Sequence, residues 1–386
     1  MNVLVWATTF GADLWSMTRY LDGLPDVKRL RVVMDDPALY LAQGVADLFP
    51  LKAEIVARKW HHGRPSRHWD VTLMDNGVPP FRTSRKALIL WHGFGWKGPN
   101  DVRELWLLHA RLTWTWGSIR RANRHLKWQA FGPWDRKHRT EISGVHPDNC
   151  LTLGAASHDD LRTPMDRVLA QPYYPFDIVN RKTVLIAPTW HYGEVFAHWG
   201  RDAELFDRLL GQIHDHGANA IVRLHDSFRF DQAYLDFLDG LTRRYPNVCL
   251  KFKNQAPDNY LDLQVSDALI TNYSSIANLY YATGRPTLHV YPVRSADEAF
   301  IWRQLTVAGV RKRRVEKASY IWKLPPEEHG GLLARDFDQL QAQLELAFAD
   351  PDCCREVSKE FLNRHMLGAD GENRDRIWAA MRDLAG

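Results

Sequence analysis

Short apolar blocks alternate with amphipathic stretches along most of the chain, the pattern of buried strands each followed by a covering helix. Val3–Ala7 reads as a first strand, about Asp13 to Leu21 as a helix and Arg29–Met34 as a second strand, together the length of a βαβ unit. Ala53–Ala57 and Trp69–Met74 are further strand candidates. Ala87–Trp91 (ALILW) is a buried strand that runs straight into His92-Gly93.

The second half alternates more cleanly. Strands at Thr183–Ala187, Ala220–Leu224, Val248–Phe252, Ala268–Thr271 and Thr287–Val290 are separated by helices at Asp202–His214, Tyr234–Arg244, Leu261–Ser266 and Ser275–Thr283. Phe337–Phe348 and Asp352–Arg364 read as closing helices. This order predicts an α/β protein of two Rossmann-like domains, with parallel sheets facing across a cleft. The expected domains are 1–172 and 183–365, joined by the polar, proline-bearing Gln171–Lys182, with 366–386 as a C-terminal helix packing back on the first domain.

Composition adds limits. A chain of 386 residues exceeds what one core usually organises, and 45% hydrophobic with 25% charged residues is ordinary for a globular protein. A net charge of +4 is compatible with anionic substrates or lipid heads but identifies neither. The four cysteines form no CxxC pair, the N-terminus lacks a basic region before its apolar run, and no apolar run is long enough to span a membrane. A reduced, cytoplasmic protein is the expectation.

Ligands of open parallel sheets bind where strands end, and four motifs fall at such ends. After ALILW come His92-Gly93 and Lys97; His92 is placed to act as a general base and Lys97 to offset phosphate charge, against a plain glycine-rich turn. Ala187-Pro188-Thr189-Trp190-His191 offers Thr189 and backbone N–H groups to a phosphate, or merely ends a strand. In Arg223-Leu224-His225-Asp226, Arg223 or His225 suits a diphosphate and Asp226 suits holding the His225 tautomer; a structural salt bridge is the competing account. Thr271-Asn272-Tyr273-Ser274-Ser275 brings two serines to a helix entrance, where hydroxyls and free N–H groups form an anion site or simply cap the helix.

In this order the motifs resemble the CDP-glycerol glycerophosphotransferases of teichoic-acid polymer synthesis, which have the GT-B fold. The family's His-Gly…Lys loop is matched by His92-Gly93 and Lys97, its Ala-Pro-Thr-Trp by Ala187–Trp190 and its Arg-x-His by Arg223 and His225. Its Thr-Asp-Tyr-Ser-Ser is met by Thr271–Ser275, and its Asp-Gly followed by Arg by Asp370-Gly371 and Arg374. The resemblance implies His92 as base on an acceptor hydroxyl, with His225 and Arg223 at the donor diphosphate or leaving group. It also implies Ser274, Ser275 and their helix N-terminus at donor phosphate, joined by Arg374; Thr189 is a further phosphate candidate, and Gly93, Asn272 and Asp226 are expected in support. No cofactor and no metal are implied, since helix dipoles and cations would stabilise the departing nucleotide. The chain departs from the pattern where the signature aspartate is Asn272, a second family aspartate is Asn278, the loop reads Phe94-Gly95-Trp96, and a Gly-x-Pro-Arg turn has become Gly154-Ala155-Ala156-Ser157.

The implied reaction moves glycerol phosphate, or a related polyol phosphate, from a CDP-activated donor to a hydroxyl of a surface polymer or lipid-linked primer. The alternatives are a glycosyltransferase using a nucleotide sugar on the same fold and an inactive, polymer-binding relative. Between Asp101 and Thr140, tryptophans 106, 114, 116, 128 and 134 interleave with Arg120, Arg121, Arg124 and Lys127, a composition suited to the inner-membrane surface, to stacking sugars or to packing a helix pair. No nucleic-acid-binding pattern accompanies these charges.

Overall fold

The computed structural model describes residues 1–66, 68–75, 77–91, 93–94, 105–189, 195–227, 230–291, 294–295, 297–306, 309–315 and 324–386. They divide into two units, the first formed by 1–163, 258–260 and 362–386 and the second by 164–257 and 261–361.

In unit 1 the strands are β1 (Asn2–Trp6), β2 (Arg29–Met34), β3 (Glu54–Ala57), β4 (Val71–Met74), β5 (Lys86–Ile89), β6 (Leu126–Ala130) and β7 (Cys150–Thr152). They form one parallel sheet in the order β3-β2-β1-β4-β5-β6-β7. In unit 2, β8 (Thr183–Ile186), β9 (Asn219–Leu224), β10 (Val248–Phe252), β11 (Ala268–Thr271) and β12 (Thr287–Val290) are followed by β13 (Phe300–Thr306), β14 (Gly309–Val315) and β15 (Leu332–Ala334). Here the parallel order is β10-β9-β8-β11-β12-β15, while β13 and β14 make a separate antiparallel hairpin. Each sheet reverses its strand order once, between β1 and β4 and between β8 and β11. These reversals are the topological switch points at which such sheets open a ligand crevice.

The cores follow from the sequence pattern. β8 is fully buried and apolar after Thr183, as a strand covered on both faces must be. Helix Asp202–Asp215 turns Leu205, Phe206, Leu209, Leu210 and Ile213 onto it. Each such burial contributes roughly 1.5–3 kcal/mol. In unit 1 the C-terminal helix Asn373–Ala385 buries Ile377, Trp378, Met381 and Leu384. The chain leading to it crosses Gly132, where a Cβ would lie 2.2 Å from the Met366 Cα, so only glycine admits the approach.

The alternating blocks therefore mark the two Rossmann-like sheets, and several strands match to the residue. The segment 171–182 is not a free linker. Gln171 ties it by accepting from Ile178 N at 2.9 Å and donating to Phe176 O at 2.8 Å, and the Tyr174 hydroxyl donates to Asp262 at 2.6 Å, all within unit 2. The stretch after residue 104 is not one amphipathic surface either. It forms helix Trp106–Thr115, β6 and helix Pro133–Glu141, with Trp116 and Trp128 buried and Trp106 and Trp114 exposed.

Candidate active site

Three loops leave the carboxyl edge of the unit 2 sheet side by side, because β9, β8 and β11 are neighbours. Adjacent strands are spaced ~4.8 Å, so the His225 and Asn272 loops stand roughly 10 Å apart with the Thr189 loop between them. The switch point itself is closed by Asn272. Its Oδ1 accepts from Thr189 N at 2.8 Å and its Nδ2 donates to Thr189 O at 2.9 Å. Thr271 adds a hydroxyl bond to Ala187 O at 2.8 Å. Both Thr189 and Asn272 are buried. A buried backbone N–H and C=O that the sheet leaves unpaired thus find partners in one amide side chain.

Unit 1 repeats the device with different chemistry. Asp75, after β4, accepts from Thr8 N at 2.9 Å and Thr9 N at 2.8 Å, just past β1, and from Gly77 N at 2.8 Å. Burial raises its carboxyl above the usual range, and the N–H donors pull it back.

Behind the Asn272 loop lies His289 on β12, a residue that the strand-like block TLHV (287–290) hid as an ordinary strand position. Its Nδ1 bonds Asn272 O at 3.0 Å and its Nε2 meets the Tyr281 hydroxyl at 2.7 Å. The carbonyl accepts, so Nδ1 carries the proton and Nε2 accepts from tyrosine. Burial first, and the nearby His329 next, push His289 down to about 3, which keeps the imidazole neutral.

The other sequence-derived residues fall as follows. Ser274 and Ser275 are half-buried ahead of helix Ile276–Tyr280, and Ser275 makes no side-chain cap bond. His225 follows β9 directly, its Nδ1 3.9 Å from Asp226 Oδ2, too far for a hydrogen bond. Arg223 is buried and engaged inside the fold. It donates to Asp262 at 2.9 Å and to Ala256 O, and Asp262 also takes Lys251 at 2.6 Å. Burial alone would raise the Asp262 carboxyl, but Lys251 and Arg223 outweigh it and hold it low. The structural ion pair, rather than an open phosphate contact, describes Arg223.

Arg374 lies in unit 1, where it bonds Asp159 through its backbone N–H at 2.8 Å and Asp160 through its guanidinium at 2.9 Å. Two carboxylates thus occupy the cation expected at donor phosphate. His92, Lys97, Trp190 and His191 lie outside the described residues. Gly93, beside His92, has its carbonyl held at 3.1 Å by Arg139, which is fully buried against Trp91 and Trp128. Two Asp-x-Asp triplets do occur, but each serves local structure. Asp336 caps Gln339 N and Asp338 pairs with Arg208, while Asp350 accepts from Asp352 N and Asp352 pairs with Arg355.

Two parallel sheets of this order, each with a switch point bridged by a side chain, define a two-domain Rossmann-like protein of the GT-B fold. Among solved structures the chain is similar to the wall teichoic acid polymerase TagF, with a TM-score of 0.64 and 15% identity over 99% of this chain and 89% of that one. It is also similar in fold to the UDP-GlcNAc 2-epimerase from Neisseria meningitidis, with a TM-score of 0.55 and 12% identity over 99% and 100% of the two chains. In sequence it is 27% identical over 158 residues to the teichoic acid poly(ribitol-phosphate) polymerase of Bacillus spizizenii. That match takes in 40% of this chain and 24% of the polymerase, well under two thirds of the relative's length. No protein-family model matches the chain. The chain is thus similar to the teichoic-acid polymerases in a stretch of its sequence and shares the GT-B fold with TagF.

Proposed function

We propose that the chain transfers glycerol phosphate, or a related polyol phosphate, from a CDP-activated donor to a hydroxyl of a teichoic-acid-type polymer or its lipid-linked primer. The observation that carries this reading is the Asn272–Thr189 bridge, which gathers the Ala-Pro-Thr and Thr-Asn-Tyr-Ser-Ser motifs at one switch point. Loops and helix entrances at such a point suit a diphosphate. The fold is shared with a TagF structure soaked with CDPG and with the epimerase bound to UDP-GlcNAc, so nucleotide-linked ligands accompany it in both.

In the proposed step, the acceptor oxygen attacks the phosphorus that bears the polyol. The bond from that phosphorus to the bridging oxygen breaks, and CMP leaves. His92 takes the acceptor proton, while Ser274, Ser275 and Lys97 hold donor phosphate, with His225 beside the leaving group. Thr189, buried and bonded through its N–H and C=O to Asn272, shapes the loop instead of meeting the donor. Asn272 and His289 fix the loop that presents the serines. Arg223 supports the floor of this site through Asp262 rather than meeting the donor.

The protein is proposed to work at the cytoplasmic face of a membrane. Among the described residues no helix is long and apolar enough to cross one. Helix Trp106–Thr115 instead exposes Trp106 (67%) and Trp114 (73%), with Leu107 beside them. Aromatic side chains of this kind favour the headgroup level.

The nucleotide product tests the reading. Incubation with CDP-glycerol and an acceptor is expected to release CMP. Release of a nucleoside diphosphate from a sugar donor instead would favour the glycosyltransferase alternative, for which the likeness to the UDP-GlcNAc epimerase speaks. Donor binding without turnover would favour the inactive relative.

A further inference from the structure

Away from its switch point, where β5 and β6 begin, unit 1 gathers cations without acidic partners. Arg82, Arg85, Arg121 and Arg124 are exposed and Lys86 and Lys127 half-buried, and none of them enters an ion pair among the described residues. The Lys86 ammonium donates to Arg124 O at 2.9 Å and Lys127 to Asp148 O at 2.7 Å, carbonyls that leave the positive charge in place. Between two guanidiniums stands His125, with Arg82 at 3.4 Å and Arg124 at 3.2 Å from its ring nitrogens.

This crowding has an electrostatic consequence. Burial and then Arg124, Arg82 and Lys127 push the Lys86 ammonium below its ordinary range, and burial with Arg82, Lys86 and Arg124 does the same to His125. Like charges held together raise the local potential, and an anion placed among them relieves it. The cluster is also built in place. Thr72 bonds the hydroxyls of Thr83 and Ser84 at 2.9 and 2.7 Å, and Ser84 O accepts from Trp116 Nε1 at 3.1 Å and Arg82 Nε at 3.2 Å. Beside it opens a cavity of about 520 Å³ lined by Pro65, Ser66, Arg82, Ser84 and Arg85.

We propose that this cluster and cavity bind the phosphodiester backbone of a polyanionic acceptor chain. The proposal rests on the function proposed above and adds to it a site for polymer already made. Arginine forks suit phosphodiester oxygens, and a recess flanked by cations fits successive phosphates of a strand better than it fits a planar bilayer. β5 rises ~3.3 Å per residue, which puts Lys86 roughly 10 Å from Ile89 at the carboxyl end of the strand, three positions before His92 in sequence. A long acceptor spans that distance and a single unit does not.

The test is binding of a long poly(glycerol phosphate) to the whole chain across a salt series, read by fluorescence anisotropy, beside vesicles of phosphatidylglycerol and phosphatidylcholine. The wild type is expected to bind polymer with an affinity falling linearly in log salt. Arg82→Glu/Arg85→Glu/Arg124→Glu is expected to weaken polymer binding at least about tenfold and flatten the salt slope. Arg85→Gln/Arg121→Gln, both at exposed positions, is expected to show the same change in smaller degree and covers any misfolding of the triple variant. CMP release with a single-unit acceptor is expected to stay at the wild-type rate in both. Polymer binding unchanged in the variants overturns the proposal, as does loss confined to the vesicles, which would make the patch a lipid surface. Binding is read without turnover, so absence of CMP release from any CDP-polyol would count against the reaction and leave this result standing.

Discussion

Asn272 and Thr189 hold one another by two hydrogen bonds across the β8–β11 switch point, one in each direction. Only a side chain with both a donor and an acceptor can do this, and Asn supplies both. The aspartate of the resembling family would satisfy the Thr189 N–H and face the Thr189 carbonyl with negative charge. In unit 1 the corresponding bridge meets two N–H groups and no carbonyl, and there the residue is Asp75. The choice between acid and amide follows the backbone groups that each switch point leaves unpaired.

Asn272→Ala should therefore lower stability by about 2–4 kcal/mol, because it strands a buried N–H and a buried carbonyl together. Asn272→Asp should keep one bond and lose about 1–3 kcal/mol. Urea denaturation ranks the two, and an Asp variant as stable as wild type would remove the bridge from the account.

Asp262 is shared by Arg223, Lys251 and Tyr174 and is 2% exposed. Asp262→Ala leaves the buried Arg223 with only the Ala256 carbonyl and no counter-charge, a loss of about 3–5 kcal/mol. Arg223→Ala should cost less, because Lys251 and Tyr174 still satisfy the carboxylate. A reversed order in equilibrium unfolding would mean that Arg223 is not primarily structural.

Much of this was legible in the sequence. β2, β10, β11 and β12 stand out because apolar and β-branched residues dominate each and only isolated polar positions break in. β6 escapes because Lys127 and Gln129 interrupt it, and Gln129 is buried through its bond to Asp13 at 2.6 Å, a partner far away in the chain. Arg223 carried the right residue type for phosphate, yet nothing local discloses that Asp262, 39 positions on, neutralises it. His289 was hidden for the same reason, since its partners Asn272 and Tyr281 meet it only after the sheet forms.

His289 makes stability depend on pH in a definite direction. The unfolded imidazole titrates near 6.5 and the folded one near 3, so the unfolded state binds the proton more readily between those values. Its contribution is complete above pH 6.5 and is lost as the pH falls towards 3, by up to about 1.4 kcal/mol per pH unit. His289→Gln should lower stability at neutral pH and flatten the acid slope relative to wild type. Parallel slopes for the two proteins in urea titrations from pH 7 to 4 would rule out a buried neutral histidine.

Removing a general base usually costs about 10²–10⁴ in kcat, because the hydroxyl must then attack without losing its proton in the same step. His92→Ala should show that loss in CMP release while the protein still binds CDP-glycerol and unfolds at the wild-type midpoint. His225→Ala, at the unit 2 strand end, should instead change the donor KM together with kcat, since it is assigned to the leaving nucleotide. Full turnover in His92→Ala would transfer the base role elsewhere. Loss of donor binding in that variant would show that His92 holds the nucleotide.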